Sequence, residues 1–382
     1  MELPSSHAHR TSGPGYTFND ILLDPRHTDF TRDEIQLGTQ LTERIALETP
    51  FVSAPMDTVT EAPLAIALGQ LGGIGIIHRN LLVPDQAMEV AKVKSEGLLV
   101  GAAVGTKDGF QQRVDALGEA GVDVIVVDTA HGDASFVVDA IEHIRRVSRD
   151  IDVIGGNIAT GDAAKRLIDA GAHGLRVGVG PGSICTTRIE SGMGVPQITA
   201  LLRVAEVAQA EKIPFIADGG IVEAGDIVKA LAMGASSVMF GNIFARTEEA
   251  VGEIEWIPLE KVPSRFKDGL NRALIKDGAY PFKNYRGMGS VGAMRTNAQL
   301  DAGDEYHGNS TTDEVLISEG VEGKVPLDGS IEYVTRKMLG GLRSGMNYTG
   351  SRTIPDLWTT TFNIITQSSL QESRPHDLLL DR

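Results

Sequence analysis

The chain has 382 residues, of which 42% are hydrophobic and 23% charged, and this composition is typical of a folded globular protein. Lys and Arg number 35 against 51 Asp and Glu, and the formal net charge of −16 opposes binding to nucleic acid or acidic membranes. No apolar run reaches the roughly 20 residues of a membrane-spanning helix. The single cysteine cannot form an internal disulfide. We therefore expect a cytoplasmic protein with no nucleic-acid or membrane partner.

From residue 50 onward, short β-branched runs alternate with amphipathic helical patterns. The predicted strands lie at 51–53, 75–77, 99–104, 124–127, 153–154, 175–177, 215–216 and 237–239. Near-continuous hydrophobic strands joined by helices indicate a parallel sheet that is covered on both faces. Eight such units in about 190 residues predict an α/β fold, a closed (β/α)₈ TIM barrel, over the alternative of an open doubly wound sheet.

Polar residues follow six of the predicted strands. They are Asp57, 78–80, Asp128, Asn157, Cys185 and 218–220. In a barrel these positions share the C-terminal rim, where barrel enzymes keep their active sites. Asp and Asn are also common helix caps and turn formers, so one such residue alone indicates little. Six of them, including the only cysteine, predict a site.

Regular alternation stops beyond residue 250. We predict an irregular active-site flap over about 254–327, because long irregular segments in enzymes are usually lids or binding loops. A closing helix is predicted at 332–340, and glycine pairs such as Gly340-Gly341 are expected where the backbone turns tightly or approaches a ligand closely. The predicted organisation is an N-terminal tail at 1–15 and a single catalytic barrel domain at 16–382.

Residues 178–188 form a loop with glycines at every second position from 178 to 182. Such a loop can expose successive amides or carbonyls to an ion. It matches neither a P-loop nor a dinucleotide fingerprint. Cys185 lies among Gly, Ser and Thr residues, which favours a nucleophile. The alternative is a cysteine buried as a small hydrophobic side chain.

This loop reads Gly-Pro-Gly-Ser-Ile-Cys-Thr-Thr-Arg, and Gly-Met-Gly-Val-Pro-Gln follows at 192–197. Further motifs lie at 16–23, 53–59, 127–132, 155–157, 217–221 and 285–290. Together they resemble the IMP dehydrogenase and GMP reductase family over residues 15–382. The resemblance implies a (β/α)₈ barrel, usually a homotetramer. It also implies a purine nucleoside monophosphate substrate, NADPH or NAD(H), and a monovalent cation such as K⁺.

The resemblance assigns roles to matching positions. The catalytic residues are Cys185, as nucleophile at purine C2, Thr187, Glu305 and Tyr306. The nucleotide-binding residues are Ser53, Met56, Ser183, Asp218, Gly220, Gly241, Tyr285, Met288, Gly289 and Glu319. The cofactor-binding residues are Asp128, Asn157 and Gly178. The cation would face Gly180, Gly182 and the carbonyl of Cys185, completed by Glu372 and Ser373 of a neighbouring subunit. Asn242 departs from the serine or glycine usual in the family.

Two features bear on which family member this is. Typical dehydrogenases carry paired CBS modules after the second barrel unit, whereas here one helix at 83–96 leads into the next strand, so no CBS domain is predicted. In the flap, Glu305 precedes Tyr306 where the dehydrogenase has arginine, as in a reductase pair. The spacing from Tyr306 to Glu319 is typical of the dehydrogenase.

Because a carboxylate can exchange a proton during C2–amine cleavage, the residues predict NADPH-dependent reductive deamination of GMP, or of a GMP-like nucleotide, to IMP and ammonia. The first alternative is an IMP dehydrogenase that oxidises IMP to XMP with NAD. The second is a non-catalytic purine-nucleotide-binding relative.

Overall fold

The computed structural model describes residues 13–107, 109–267, 269–299 and 317–375. Three short strands precede the barrel: β1 (Ile21–Leu23), β2 (Thr39–Gln40) and β3 (Ala46–Leu47). β2 and β3 pair as an antiparallel hairpin. Leu41 and Leu47 of this hairpin belong to the same buried cluster as the residues inside the barrel, so the hairpin closes the barrel's N-terminal end.

Eight parallel strands form a closed barrel. They are β4 (Phe51–Ser53), β5 (Ile74–Ile77), β6 (Val100–Val104), β7 (Val124–Asp128), β8 (Asp152–Ile158), β9 (Gly174–Val177), β10 (Phe215–Asp218) and β11 (Ser237–Phe240). The barrel closes where β11 pairs with β4, with Val238 opposite Phe51. The predicted (β/α)₈ barrel is confirmed, and the open sheet is excluded.

Helices connect the barrel strands. They are α1 (Ala62–Gly69), α2 (Val83–Ser95), α3 (Phe110–Glu119), α4 (Ser135–Val147), α5 (Gly161–Asp169), the short α6 (Thr187–Glu190), α7 (Gln197–Ala210), α8 (Ala224–Ala232) and α9 (Asn242–Ala245). α2 is the helix that connects β5 to β6. None of the described helices has the length and apolar character needed to cross a membrane.

The barrel strands are buried on both faces, which explains their near-continuous hydrophobic sequences. Side chains such as Val126, Ile154 and Met239 fill the interior. Their neighbours Ile125 and Val153 point outward and pack beneath the helices. Because successive strand residues alternate between these two layers, each short run contributes to both cores.

The segment 254–327 is more regular than predicted. It contains β12 (Glu255–Pro258), α10 (Ser264–Lys267), β13 (Ala279–Arg286), α11 (Val291–Gln299) and β14 (Glu322–Pro326). β13 pairs antiparallel with both β12 and β14 in a three-stranded sheet. The expectation of an irregular segment was therefore wrong for its described residues, because long connections separate the paired strands and leave no local hairpin signal.

The closing helix is longer than predicted. α12 spans Ile331–Tyr348 and is followed by α13 (Ile354–Leu357), β15 (Phe362–Ile364) and α14 (Gln367–Glu372); β15 pairs with β1. Gly340-Gly341 lies inside α12, so this pair does not form a turn. A Cβ on Gly341 would stand 2.2 Å from the Cβ of Ala224, and one on Gly345 would stand 2.5 Å from Val228. The glycines therefore permit close packing of α12 on α8.

Candidate active site

A cavity of about 440 Å³ opens at the C-terminal rim of the barrel. Most of the predicted site residues line it. They are Met56, Asp128, Asn157, Gly178, Gly180, Gly182, Ser183, Cys185, Thr187, Asp218, Gly220, Gly241, Tyr285, Met288, Gly289 and Glu319. Asn242, the departure from the family pattern, lines it as well. Residues scattered over more than 260 positions of sequence thus meet at one place, because parallel barrel strands all end at the same rim.

A thiol, a hydroxyl and a carboxylate form a hydrogen-bonded chain on the wall of this cavity. Sγ of Cys185 lies 3.1 Å from Oγ1 of Thr187, and that hydroxyl donates to Oε2 of Glu319 at 2.8 Å. Cys185 is half-buried, which leaves its sulfur accessible from the cavity. The arrangement pairs a candidate nucleophile with a route for a proton to a carboxylate.

Backbone pairing between two distant segments places the carboxylate beside the cysteine loop. The amide of Thr186 donates to the carbonyl of Glu319 at 2.9 Å, and the amide of Val321 donates to the carbonyl of Ile184 at 2.9 Å. Cys185 and Gly320 are opposite each other in this short antiparallel bridge. Backbone hydrogen bonds therefore hold the segment of Glu319 against the loop that contains Thr187.

Two carboxylates in the cavity share one arginine. Nε of Arg176 donates to Asp218 at 2.9 Å, and its Nη1 donates to Asp128, whose side chain is 4% exposed. Nδ2 of Asn157 also donates to Asp218 at 2.8 Å. A buried charge is tolerated when it is paired, so Arg176 stabilises the buried carboxylate of Asp128 and the half-buried carboxylate of Asp218 at the end of the barrel.

Sequence analysis missed Arg176. An arginine between Leu175 and Val177 in an otherwise apolar strand was the available signal, since charged residues in buried strands require partners. Gln197 was missed too, and its Nε2 donates to the carbonyls of Val177 and Asp218 at 2.9 and 3.0 Å.

One end of the cavity is suited to a phosphate group. None of the described residues accepts a hydrogen bond from the backbone amides of Gly220 or Gly241. The hydroxyl of Tyr285 lies beside Gly241, where a Cβ would stand 2.9 Å from it. Burial raises the pKa of Tyr285 well above its ordinary value, and the nearby Ser183 hydroxyl only partly opposes this, so the phenol remains a neutral donor.

The three residues predicted to bind the cofactor line the same cavity as Cys185. They are Asp128, Asn157 and Gly178. The backbone closes tightly behind them, since a Cβ on Gly178 would stand 2.0 Å from the carbonyl oxygen of Asp218. Polar groups and glycine backbone thus provide a surface on which a flat polar ring can rest close to the thiol.

Three predicted residues are not brought to the cavity. Ser53 is fully buried behind Ala54, and its Oγ accepts from Thr60 at 2.8 Å. Glu372 and Ser373 lie at the end of α14, away from the cavity of their own chain. The predicted catalytic residues Glu305 and Tyr306 lie outside the described residues, so the flap pair stays a prediction.

The fold is a (β/α)₈ barrel, and its rim cavity, where barrel enzymes keep their active sites, contains an accessible cysteine. Residues 15–376 match the family model described as the IMP dehydrogenase / GMP reductase domain. The chain therefore belongs to the IMP dehydrogenase/GMP reductase family of oxidoreductases, and the resemblance stated from its motifs is confirmed.

The chain is similar to several proteins that are named inosine-5′-monophosphate dehydrogenase. The one from Cryptosporidium parvum is 42% identical, with 96% of each chain covered. Those from Borreliella burgdorferi and Aquifex aeolicus are 38% and 37% identical, with 95% and 96% of this chain covered and 96% of each relative.

Proposed function

We propose that the protein is an NAD-dependent IMP dehydrogenase that oxidises IMP to XMP. This was the alternative in the sequence analysis, whose main prediction was a GMP reductase. The single observation that carries it is the similarity, over at least 95% of this chain, to proteins named inosine-5′-monophosphate dehydrogenase. The hydrogen bond from Thr187 to Glu319 supports it, since it provides a carboxylate for water activation beside Cys185.

The reaction begins when the Cys185 thiolate forms a bond to C2 of IMP, which is held by its phosphate at Gly220 and Gly241. NAD, when bound beside Asp128 and Asn157, supplies a hydride acceptor. C2 loses its hydrogen as a hydride, and the oxidised purine remains bonded to sulfur through C2. Water attacks C2, the carbon–sulfur bond breaks, and XMP leaves with the thiolate restored.

Water attack requires a group that accepts a proton. Thr187 passes the proton of the attacking water toward Oε2 of Glu319, because its hydroxyl can donate and accept at once. The reductase prediction relied on Glu305 as a carboxylate near Thr187. Glu319 already accepts a hydrogen bond from Thr187, so a carboxylate is present there without Glu305.

GMP reductase remains the second candidate, and Glu305 is the observation that favours it. Glutamate at this position reverses the charge of the arginine that typical dehydrogenases use on the flap. The Thr187–Glu319 relay can also return a proton to a departing amine, so the relay serves either direction.

The absorbance of the reduced nicotinamide distinguishes the two reactions. With IMP and NAD, we expect steady NADH formation and a product that chromatographs as XMP. With GMP and NADPH, we expect at most a small loss of absorbance. A GMP-dependent loss of NADPH faster than NADH formation from IMP, with ammonia released, would refute the dehydrogenase. Glu305→Arg is an informative variant, because it should raise IMP oxidation in a dehydrogenase.

We also propose a homotetramer that requires a monovalent cation. Glu372 and Ser373 lie away from the cavity of their own chain, as expected for residues that would act in a neighbour's site. Activity should rise with potassium and fall on dilution to monomers. A fully active monomer in potassium-free buffer would contradict both parts.

A further inference from the structure

Arg286 and Asp57 form a forked ion pair behind the cavity wall. Nη2 of Arg286 lies 2.6 Å from Oδ2 of Asp57, and Nε lies 3.1 Å from both carboxylate oxygens. The Asp57 side chain is 6% exposed and that of Arg286 25%. The fork fixes the distance between the two side chains and also their relative orientation. A single contact would not fix both.

The pair joins segments that are remote in sequence. Nδ2 of Asn80 also donates to Asp57, at 2.6 Å. Arg286 donates from its backbone to Thr58 at 3.2 Å and from Nη2 to Thr296 of α11 at 3.2 Å. The Arg286–Asp57 pair thus connects four segments, which are the loops after the first two barrel strands, β13 and α11.

Neither partner of the pair lines the cavity, but residues beside each of them do. Met56 precedes Asp57, Tyr285 precedes Arg286, and Met288 follows it by two residues. The hydroxyl of Tyr285 contacts Sδ of Met56 at 3.9 Å, so the two segments also meet inside the cavity. A change in the distance between Asp57 and Arg286 would therefore move the two walls that flank a bound purine.

We infer that Arg286 and Asp57 are positioning residues, which set the width of the purine end of the cavity by fixing Met56 and Met288 relative to Cys185. The inference rests on the proposed nucleotide site. The pair does not touch the substrate. It acts by holding the wall in the conformation that binds the base, so its loss weakens nucleotide binding more than it changes the thiol.

The test uses the single thiol of the full-length protein. Iodoacetamide alkylates Cys185, and bound IMP should protect it. Arg286→Lys keeps the charge but loses the fork, and Asp57→Asn removes the charge. In both variants we expect the rate of alkylation without IMP to change less than about twofold. Half-protection should need about tenfold more IMP, which is the loss of affinity typical of removing one well-placed polar contact. KM for IMP should rise more than kcat falls.

Arg246→Lys is the matched control. Arg246 pairs with Asp328 at 2.8 Å, and the two side chains are 28% and 30% exposed, close to the exposure of Arg286. Thermal stability should fall about as much in this control as in the two test variants, but the IMP concentration for half-protection should stay unchanged. Two results would overturn the positioning inference without affecting the nucleotide proposal. In the first, the IMP concentration for half-protection stays within twofold of the wild-type value in both test variants. In the second, the control variant loses as much protection as the test variants do. Failure of IMP to protect the wild-type thiol would refute the nucleotide proposal and this inference together.

Discussion

The hydroxyl of Thr187 donates to Glu319 at 2.8 Å, across 132 residues of sequence. The same oxygen lies 3.1 Å from Sγ of Cys185. The thiol of Cys185 and the carboxylate of Glu319 are therefore joined through one side chain that can take either hydrogen-bonding role. Because this contact does not involve Glu305 or Tyr306, described residues could provide the groups that the proposed reaction needs for bond formation at C2 and for water activation.

Glu319→Gln should lower kcat by about 100-fold with a smaller change in KM, because glutamine keeps the shape of the side chain but does not accept a proton. Steady-state kinetics with IMP and NAD measure this. Thr187→Ser keeps a hydroxyl and serves as the control, whereas Thr187→Val removes it. Full activity in Glu319→Gln would show that another group accepts the proton.

Cys185→Ala should lower turnover by at least about 10³-fold, because the thiolate makes a bond that no neighbouring side chain replaces. The fold should persist, since the side chain is only half-buried and lies in a polar loop. Turnover assays and the far-ultraviolet circular dichroism spectrum check the two parts. A variant with an intact spectrum and substantial activity would rule out Cys185 as the nucleophile.

Tyr285→Phe should raise KM for the nucleotide several-fold and leave kcat nearly unchanged, because in the proposed site the phenol would donate to a phosphate that does not react. Burial raises the pKa of Tyr285, so the phenol keeps its proton at neutral and moderately alkaline pH. Ionisation of Tyr285 should therefore cause no change in the KM of the wild type up to about pH 10, the ordinary tyrosine pKa. A kcat effect larger than the KM effect would place Tyr285 in the chemistry instead.

His173 gives a prediction for stability against pH. Its Nδ1 accepts the amide of Val153 at 3.0 Å, and burial lowers the pKa of the ring below its ordinary value of about 6.5. The unfolded chain therefore binds a proton more readily than the folded chain, and stability should fall as the pH drops through about 6.5.

His173→Asn is the control for that prediction, since Oδ1 of asparagine can accept the same amide without titrating. Thermal unfolding between about pH 8 and 5 should show a smaller decline in this variant than in the wild type. Equal declines would mean that His173 does not contribute.

The barrel was predictable from sequence because its signals are local. Runs such as Val124–Asp128 are continuously apolar, and each is followed by an amphipathic helix. The sheet around β13 was missed because its strands pair over long connections. The length of α12 was missed because a glycine such as Gly341 locally indicates a turn. The reason for a glycine at this position is instead the close approach of Ala224 from α8.

The site was partly predictable for a similar reason. Motifs indicated which residues meet at the rim, including Cys185 and Asp218. They did not indicate which side chains contact each other. The pairing of Thr187 with Glu319, and of Arg176 with two carboxylates, depends on segments far apart in sequence, so it required the folded chain.

The central claim is that IMP is oxidised through a bond between its C2 and Cys185. Acid quenching during steady turnover with IMP and NAD, followed by mass spectrometry of the protein, tests this directly. We expect the mass of one purine nucleotide to be added to the peptide that contains Cys185, and we expect more of this adduct in Glu319→Gln, where its hydrolysis is slowed. XMP production with no adduct on this peptide in either protein, or an adduct that forms only with GMP, would contradict the central claim.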